Sequence, residues 1–433
     1  MQHVGVAIVG AGPAGISAAC TLADHGVSTI VLERGEFPGA KNMSGGVLYG
    51  HDLARIVPDF VERNCPVERN IVESRIWYLN DQGGYQLSYR DTAFESARRY
   101  NAFTAGRAKF DRWFADQAAR KGALVVCSTV VTDLLRDARG RVTGVRTDRP
   151  EGDLTADVVL LADGINSALA ASTGFRPEPS PEHVALAVKE VIELPEEVID
   201  QRFNVAQGSG VTTEILGSVT GGMNGVAVIY TNRKSLSLVI GANLADMAEG
   251  RIKPYDLLER FKTHPMVAPL IAGGTPREYM AHWLAEGGYD HIPTLYGDGY
   301  LIAGDSGQLF NTLHREGSNM AMTSGRLAAE TILSARRSGD TSRRALAGYG
   351  DRLDSCYVLK DMKKYRRFNP FLDRHDEIFT SLPSAAGFAA REMLTVDGVS
   401  KKEKQGRIWR RLRRDHSLLG LMRLVGDGIR SVR

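Results

Sequence analysis

One stretch near the N-terminus limits what this chain can fold into more than any other. An apolar run, Val4-Gly5-Val6-Ala7-Ile8-Val9, breaks into Gly10-Ala11-Gly12-Pro13-Ala14-Gly15. A helical pattern follows (Ile16, Ala19, Cys20, Leu22, Ala23) and stops at Gly26; a β-branched run from Val27 to Leu32 then ends on Glu33-Arg34. In such a unit the first glycine makes the tight turn, the second lets the backbone approach a pyrophosphate, and the third allows the helix to pack closely. The helix N-terminus offers N–H donors and a positive dipole to the anion. Glu33 is placed to accept a hydrogen bond from a ribose hydroxyl. A bare Gly-rich turn would explain the glycines but not the flanking strands and the terminal acid, so the unit reads as a dinucleotide site.

The rest of the chain supplies more of the same sheet and then a different one. Residues 40–50 are too Gly-rich and mixed for a regular element. The stripe Phe110, Trp113, Phe114 and Ala118 predicts a helix from Arg107 to Ala118. Short strands are expected at Ala123–Val126 and around Val130-Val131-Thr132, an alternating antiparallel strand at Val142–Thr147, and a buried strand at Val158–Ala162 that ends in Asp163-Gly164. Between about 180 and 290, alternating stretches such as Gly225–Tyr230 and Ser235–Ile240 predict an antiparallel sheet. Tyr300-Leu301-Ile302-Ala303 returns to the buried style and leads into Gly304-Asp305; a helix is expected over Met320–Leu333, and the chain beyond 336 is polar and helical. The expected division is a discontinuous dinucleotide domain (1–75, 100–178 and 290–335), a substrate-side antiparallel-sheet domain (76–99 and 179–289), and a helical C-terminal region, 336–433.

With 433 residues, 43% hydrophobic and 24% charged, the composition is that of a soluble globular protein of two or three domains. No apolar run reaches the roughly 18 residues of a spanning helix, and no charged n-region with a cleavage site opens the chain. Cys20, Cys65, Cys127 and Cys356 lie far apart without C-x-x-C spacing, which points to free thiols in a reducing cytosol rather than to a metal or cluster site. Charge is uneven. Residues 401–433 carry eleven Lys and Arg against three acids, +8, which leaves −5 for the rest of a chain whose net charge is +3. Ile408, Trp409, Leu412, Leu418, Leu419, Leu421, Met422, Leu424, Val425 and Ile429 interleave with these arginines. Three readings of the tail stay open: a basic amphipathic helix on an anionic membrane surface, a helix packed on the body, or one docking a partner subunit. Nucleic acid is not expected, since no reading module accompanies the basic tail.

Three separated signatures, Gly10–Gly15 with Glu33, Ala162-Asp163-Gly164, and Gly304-Asp305, together resemble the FAD-dependent family that includes aromatic hydroxylases and geranylgeranyl reductases. Glu33-Arg34-Gly35 with Pro38–Gly46, Asn311–Met322 and Val358-Leu359-Lys360-Asp361 are similar to the electron-transfer-flavoprotein:quinone oxidoreductases, and closest to their short FixC-type members. The resemblance runs from about residue 4 to 430. It implies a fold of α/β class: a Rossmann-like FAD domain of the glutathione-reductase-2 type, an inserted α+β antiparallel-sheet domain and a helical C-terminal region. Long-form members end in a cluster-bearing domain with four Cys ligands, which this chain lacks. A second departure is Trp283-Leu284-Ala285-Glu286-Gly287-Gly288, where Ile-Pro-Glu-Gly-Gly is expected, on the substrate side.

The resemblance also implies which residues meet FAD. Gly10, Gly12, Pro13, Ala14, Gly15, Glu33 and Arg34 hold its ADP half, with Val131 among the cofactor contacts. Arg107 reaches the pyrophosphate, Asp163 and Gly164 lie near the phosphates, and Gly304 and Asp305 take the ribityl chain. Lys41, Asn42, Ser44, Gly45 and Gly46 run beside the isoalloxazine. Gly317, Ser318 and Asn319 begin a helix whose N-terminus points at the flavin pyrimidine oxygen. His314 is a weak candidate for proton transfer and a better one for a structural or flavin contact. No metal is expected. The function expected is that of an FAD-dependent oxidoreductase passing electrons from an electron-transfer flavoprotein towards quinone, through a separate ferredoxin-like iron–sulfur subunit. It would sit in the cytoplasm, with the inner face of the cytoplasmic membrane as the surface the tail could meet. The alternative is a reductase, dehydrogenase or hydroxylase acting directly on a small organic substrate, isoprenoid or natural product, with NAD(P)H or another donor; a second nucleotide fingerprint is absent.

Overall fold

Val6, Ala7 and Ile8, at the centre of the first apolar run, are wholly buried and lie in the middle of a parallel sheet. A computed structural model of the chain describes residues 2–43, 46–95 and 100–433. It divides into two compact units, Met1–Glu68 with Ser96–His183 and Trp283–Lys364, and Arg69–Glu95 with Val184–His282 and Tyr365–Arg433.

In the first unit the parallel strands run in the order Tyr300–Ile302, Leu154–Leu161, Gln2–Val9, Thr29–Leu32, Leu124–Val126. Ile8 pairs with Leu160 on one side and Val31 on the other. Tyr296–Gly297 closes one edge antiparallel, and the hairpin Val131–Arg136/Val142–Thr147 joins through Leu154–Leu161. The carboxyl ends of the central strands are sealed on both faces, as the unbroken Val and Leu runs require. Helix Pro13–Ala23 packs against helices Arg107–Arg120 and Ser318–Arg337. The last starts two residues before the apolar pattern does and continues to Arg337, since nothing breaks it before Gly339. Residues 40–50, expected to hold no regular element, do contain one: Gly46–Tyr49 is a strand, because pairing antiparallel with Ala102–Ala105 supplies its backbone partners.

The second unit is built on strands Thr275–Ala285, Val184–Glu193, Ser235–Asn243, Gly225–Thr231 and Ser209–Gly217, in that order. Ser209–Gly217 pairs in parallel with Arg69–Asn80, which folds back as a hairpin on Gly83–Arg90. One face of this sheet carries Trp77, Val188, Ile215, Ala227, Ile229, Leu238 and Ile240, packed with Ile199, Phe203, Leu257 and Phe261 of two helices. Helix Ser381–Leu394 packs on the hairpin. Tyr78 Oη donates to the Ile378 carbonyl at 2.7 Å and Tyr85 Oη to that of Ala386 at 3.1 Å. The basic tail is two helices, Lys401–Asp415 and Leu418–Val432, rather than one. Ser417 breaks it, because its hydroxyl caps the second helix by accepting from Gly420 N at 2.9 Å.

A buried arginine ties this unit together. Arg69 donates through Nη1 to Asp200 Oδ1 at 2.5 Å and Ser209 O at 2.8 Å, and through Nε to Asn232 O at 2.7 Å. Its side chain has no solvent exposure. Arg69→Met should therefore lower stability by about 3–5 kcal/mol, read as a fall in the urea midpoint, because it strands Asp200 and several carbonyls.

Candidate functional site

The glycines of the first turn differ in what they permit. Gly10 sits at φ +100°, a conformation open to glycine. A Cβ on Gly15 would stand 2.0 Å from the Gly10 carbonyl oxygen, so the turn closes only without one. A Cβ on Gly12 would meet nothing within 4 Å, which leaves the space in front of helix Pro13–Ala23 open. Glu33 binds the turn to the end of the second strand: its carboxylate accepts from Ala11 N at 2.9 Å and Gly35 N at 2.7 Å.

Two further turns meet beside it. Asp163 Oδ1 accepts from Ser167 Oγ at 2.8 Å and Ser306 Oγ at 3.0 Å, while Ser306 Oγ accepts from Gly164 N at 2.9 Å. Arg176 braces both turns, donating to the carbonyls of Ser306 and Ile165. Burial pushes the Asp163 carboxyl up, against these hydrogen bonds and the Arg176 charge. Gly304, at φ +65°, brings its own turn onto the first helix; a Cβ there would lie 3.0 Å from Ala14 Cβ.

Asp305 differs from the other acids. No side-chain hydrogen bond from the described residues reaches its carboxylate, which burial pushes up while Arg107 and Arg176 pull it down. Arg107 pairs with Asp111 at 3.0 Å, one helical turn on, and Asp111 also accepts from Asn42 Nδ2 at 2.5 Å. Burial lowers the Arg107 guanidinium's affinity for its proton, but Asp111 and Asp305 hold it above the ordinary arginine value. Asn42 is thereby fixed beside Arg107. Ser318 Oγ, opening the long helix, donates to the Val47 carbonyl at 3.4 Å and ties that N-terminus to the strand following Gly46.

Three helices of this unit begin alike. Pro13–Ala23, Arg107–Arg120 and Ser318–Arg337 have glycine N-caps (Gly12, Gly106, Gly317), no side-chain cap and no acid in the first turn. Asn243, Ser342, Ser400 and Ser417 cap four other helices with side chains, while helices such as Gly50–Ala54 and Gly348–Ser355 also lack a side-chain cap but have no glycine as N-cap. Uncapped starts leave backbone N–H groups for an outside acceptor, and the helix dipole favours an anion there. Near the third start, Gln308 Oε1, Asn311 Nδ2 and Asn319 Oδ1 are buried with no partner. These features suit an extended ligand with an anionic middle, a hydroxylated chain for the open Asp305 carboxylate, and a heterocycle offering both donors and acceptors. FAD has those parts.

The remaining expected residues stand apart from this network or outside it. Arg34 and Lys41 are exposed, and Val131 lies at the start of a strand at the sheet's antiparallel flank. Ser44 and Gly45 lie outside the described residues. His314 is exposed, and its backbone N–H donates to Asn311 Oδ1 at 3.3 Å. Asp111, Ser167, Arg176 and Ser306 were not among the expected residues. The spacing of Arg107 and Asp111 is a legible ion-pair signal on a helix; the others have none in the sequence.

Comparison with known proteins gives the family. Residues 5–174 match the FAD dependent oxidoreductase family and residues 368–433 the ETF-QO/FixC family C-terminal domain. Protein FixC of Bradyrhizobium diazoefficiens is 44% identical over 428 residues, 98% of this chain and 97% of its own. Protein FixC of Azotobacter vinelandii is 44% identical over 430 residues, 99% and 98% of the two chains, and that of Escherichia coli K12 is 39% identical over 431 residues. Among solved structures, a geranylgeranyl bacteriochlorophyll reductase-like protein from Thermoplasma acidophilum superposes with a TM-score of 0.73 at 19% identity, over 95% of this chain and 99% of that one. The myxobacterial FAD-dependent halogenase CndH superposes with a TM-score of 0.67 at 17% identity, over 97% of this chain and 91% of its own. These two share the fold. FAD is the cofactor, and the chain belongs to the FixC family of FAD-dependent oxidoreductases.

Proposed function

We propose that this protein carries electrons from an electron-transfer flavoprotein towards quinone, with a separate ferredoxin-like subunit as the next carrier. The observation that supports this most directly is the match of residues 368–433 to the ETF-QO/FixC C-terminal domain, joined to likeness with FixC proteins along nearly the whole chain. Bound FAD supplies the two-electron to one-electron chemistry. The chain's own residues place it. Gly10, Gly12, Pro13, Ala14 and Gly15 present the first helix N-terminus to the pyrophosphate, with Arg107 as counter-charge and Glu33 at the adenosine ribose. Asp305 accepts from the ribityl hydroxyls. Asp163 and Gly164 hold that turn in place, and Asn42, Gly46 and Gly317–Asn319 bound the isoalloxazine end. Burial pushes the Cys20 and Cys65 thiols up to about 12, so both stay protonated.

The pyrophosphate placement has a steric test. Gly12→Ala has room for its Cβ, and φ −80° suits alanine. As apoprotein it should fold with stability within about 0.5 kcal/mol of the wild-type apoprotein, yet the holoprotein should lose flavin on gel filtration. Gly15→Ala meets backbone at 2.0 Å and should cost the fold itself. Equal flavin retention in Gly12→Ala and wild type would move the pyrophosphate elsewhere.

The donor is tested by anaerobic titration of the yellow protein. Reduced electron-transfer flavoprotein should bleach the visible flavin band, whereas NADH and NADPH should not. Prompt bleaching by either nucleotide would replace this reading with a reductase acting on a small organic substrate.

We also infer that the second tail helix meets an anionic membrane surface. Leu418, Leu419, Met422, Val425, Ile429 and Val432 form one exposed stripe, with Met422 at 72% and Val425 at 61% exposure. The opposite side is occupied: Asp427 Oδ2 lies 3.2 Å from His375 Nε2, and Gly428 faces Phe371. Arg423 and Arg430 flank the stripe, and the preceding helix exposes Lys401, Lys402, Arg410, Arg413 and Arg414. An apolar stripe bordered by cations fits a bilayer whose headgroups are anionic. No described helix is long and apolar enough to cross a membrane. The protein should co-sediment with phosphatidylserine-containing vesicles, less so at high salt, and Met422→Asp/Val425→Asp should abolish this. Equal sedimentation of both forms would reject the membrane contact.

A further inference from the structure

At the start of the long helix, one acid determines how a buried amide is turned. Asn319 is 4% exposed, at the second position after the Gly317 N-cap. Its side chain donates a hydrogen bond to the Glu316 carboxylate, and its Oδ1 is buried with no partner. An ionised carboxylate can only accept. While Glu316 is charged it must therefore face the amide nitrogen, and the amide oxygen is left for something else.

We propose that Glu316 is a positioning residue that holds Asn319 Oδ1 towards an N–H group of the isoalloxazine, and that a proton on Glu316 releases the amide. The inference rests on the placement of Gly317–Asn319 at the isoalloxazine end of FAD. The ring carries an N–H in its oxidised form and gains further N–H groups when reduced, so a fixed acceptor discriminates between the two forms. When Glu316 takes up a proton it becomes a weaker acceptor and also a donor. Its O–H can then serve Oδ1 if the amide turns over, which directs Nδ2 at the ring instead.

The surroundings make this equilibrium accessible. Burial raises Glu316 above the ordinary glutamate range, so the proton binds at a higher pH than on an exposed side chain. The Asn319 hydrogen bond and His314, on the same loop, oppose the rise. Asp361, from helix Tyr357–Lys364, and Asp52, from helix Gly50–Ala54, add to it. The Asp52 carboxylate is engaged by Thr323 Oγ1 at 2.7 Å and Tyr357 Oη at 3.2 Å, which holds that neighbouring charge in place.

The test is the reduction potential of the bound flavin, measured on the holoprotein across a pH series. Wild type should show a break on the acid side, where the relative affinity for the two redox states changes by about fivefold, the worth of one hydrogen bond. Glu316→Gln, which like the protonated acid is neutral and carries both an acceptor and a donor, should follow the acid behaviour of wild type throughout and lose the break. Glu316→Ala should follow the acid behaviour throughout. In an Asn319→Ala background the Glu316 substitutions should have no further effect. If Glu316→Ala fails to fold, wild type against Glu316→Gln decides, and the same break in both overturns the proposal. A shifted potential in Asn319→Ala with silent Glu316 variants also overturns it while leaving the cofactor placement intact. Unchanged potential and flavin content in Asn319→Ala removes the placement itself.

Discussion

Helices Pro13–Ala23 and Ser318–Arg337 cross backbone to backbone, and the arrangement of the first unit depends on that crossing. A Cβ on Gly325 would lie 2.0 Å from the Ala14 carbonyl oxygen, so no other residue allows the approach. Gly304 fits beside the same point, with Ala14 on one side and Ala321 on the other. The first Gly-rich turn is thereby brought to one corner with two segments some three hundred residues further on, the Gly304-Asp305 turn and the N-terminus of the long helix. Packing this close is rigid, since protein interiors have little free volume to yield. The small residues at the crossing serve geometry first. The chemistry at the corner follows from which backbone groups that geometry leaves without partners.

The acids at this corner divide the work. Glu33, Asp111 and Asp163 each spend their oxygens on the protein: on backbone N–H groups, on Arg107 and Asn42, and on Ser167 and Ser306. Their part is to fix these turns, and any ligand contact would add to those bonds. Asp305 keeps its carboxylate open, and Arg107 and Arg176 supply the charge that lets a half-buried acid remain there. A buried carboxylate without such partners would hold its proton instead. The engaged acids and the open one therefore look alike in sequence and differ only in what else reaches them.

Much of the fold was legible because its signals are local. The strand at Val4–Val9, the turn through Gly15, the helices at Arg107 and Met320 and the alternating strands at Gly225 and Ser235 all carry their periodicity in a few consecutive residues. Asp163 and Asp305 were legible because buried strands lead into them. Ser306, Ser167 and Arg176 were not, since a serine two turns away becomes a partner only once the sheet has brought the turns together. The orphan atoms of Gln308, Asn311 and Asn319 are likewise a property of burial, which composition does not record. The tail was read as one helix because its apolar and basic residues interleave without a break; Ser417 stops it through one capping bond. The hairpin Arg69–Asn80/Gly83–Arg90 carries Leu87 and Tyr89 on an exposed face, so its pattern gives no clean inside and outside.

The glycine N-caps carry the argument one step further. A Ser, Asn or Asp at Gly12, Gly106 or Gly317 would satisfy a backbone donor within the helix and add a few tenths of a kcal/mol each. This chain uses such caps at Asn243, Ser342, Ser400 and Ser417. Their omission at three helices of one unit leaves several donors unsatisfied by protein at the same place. On the proposed placement, a bound anion and heterocycle would complete hydrogen bonds that the chain does not make for itself, and binding to the folded form alone would shift folding in its favour. Cofactor affinity and stability of the first unit are thus two readings of one set of unpaired groups. On the proposed placement the same sharing would explain why the site tolerates so many polar atoms in a well-packed region, with the cofactor completing their hydrogen bonds.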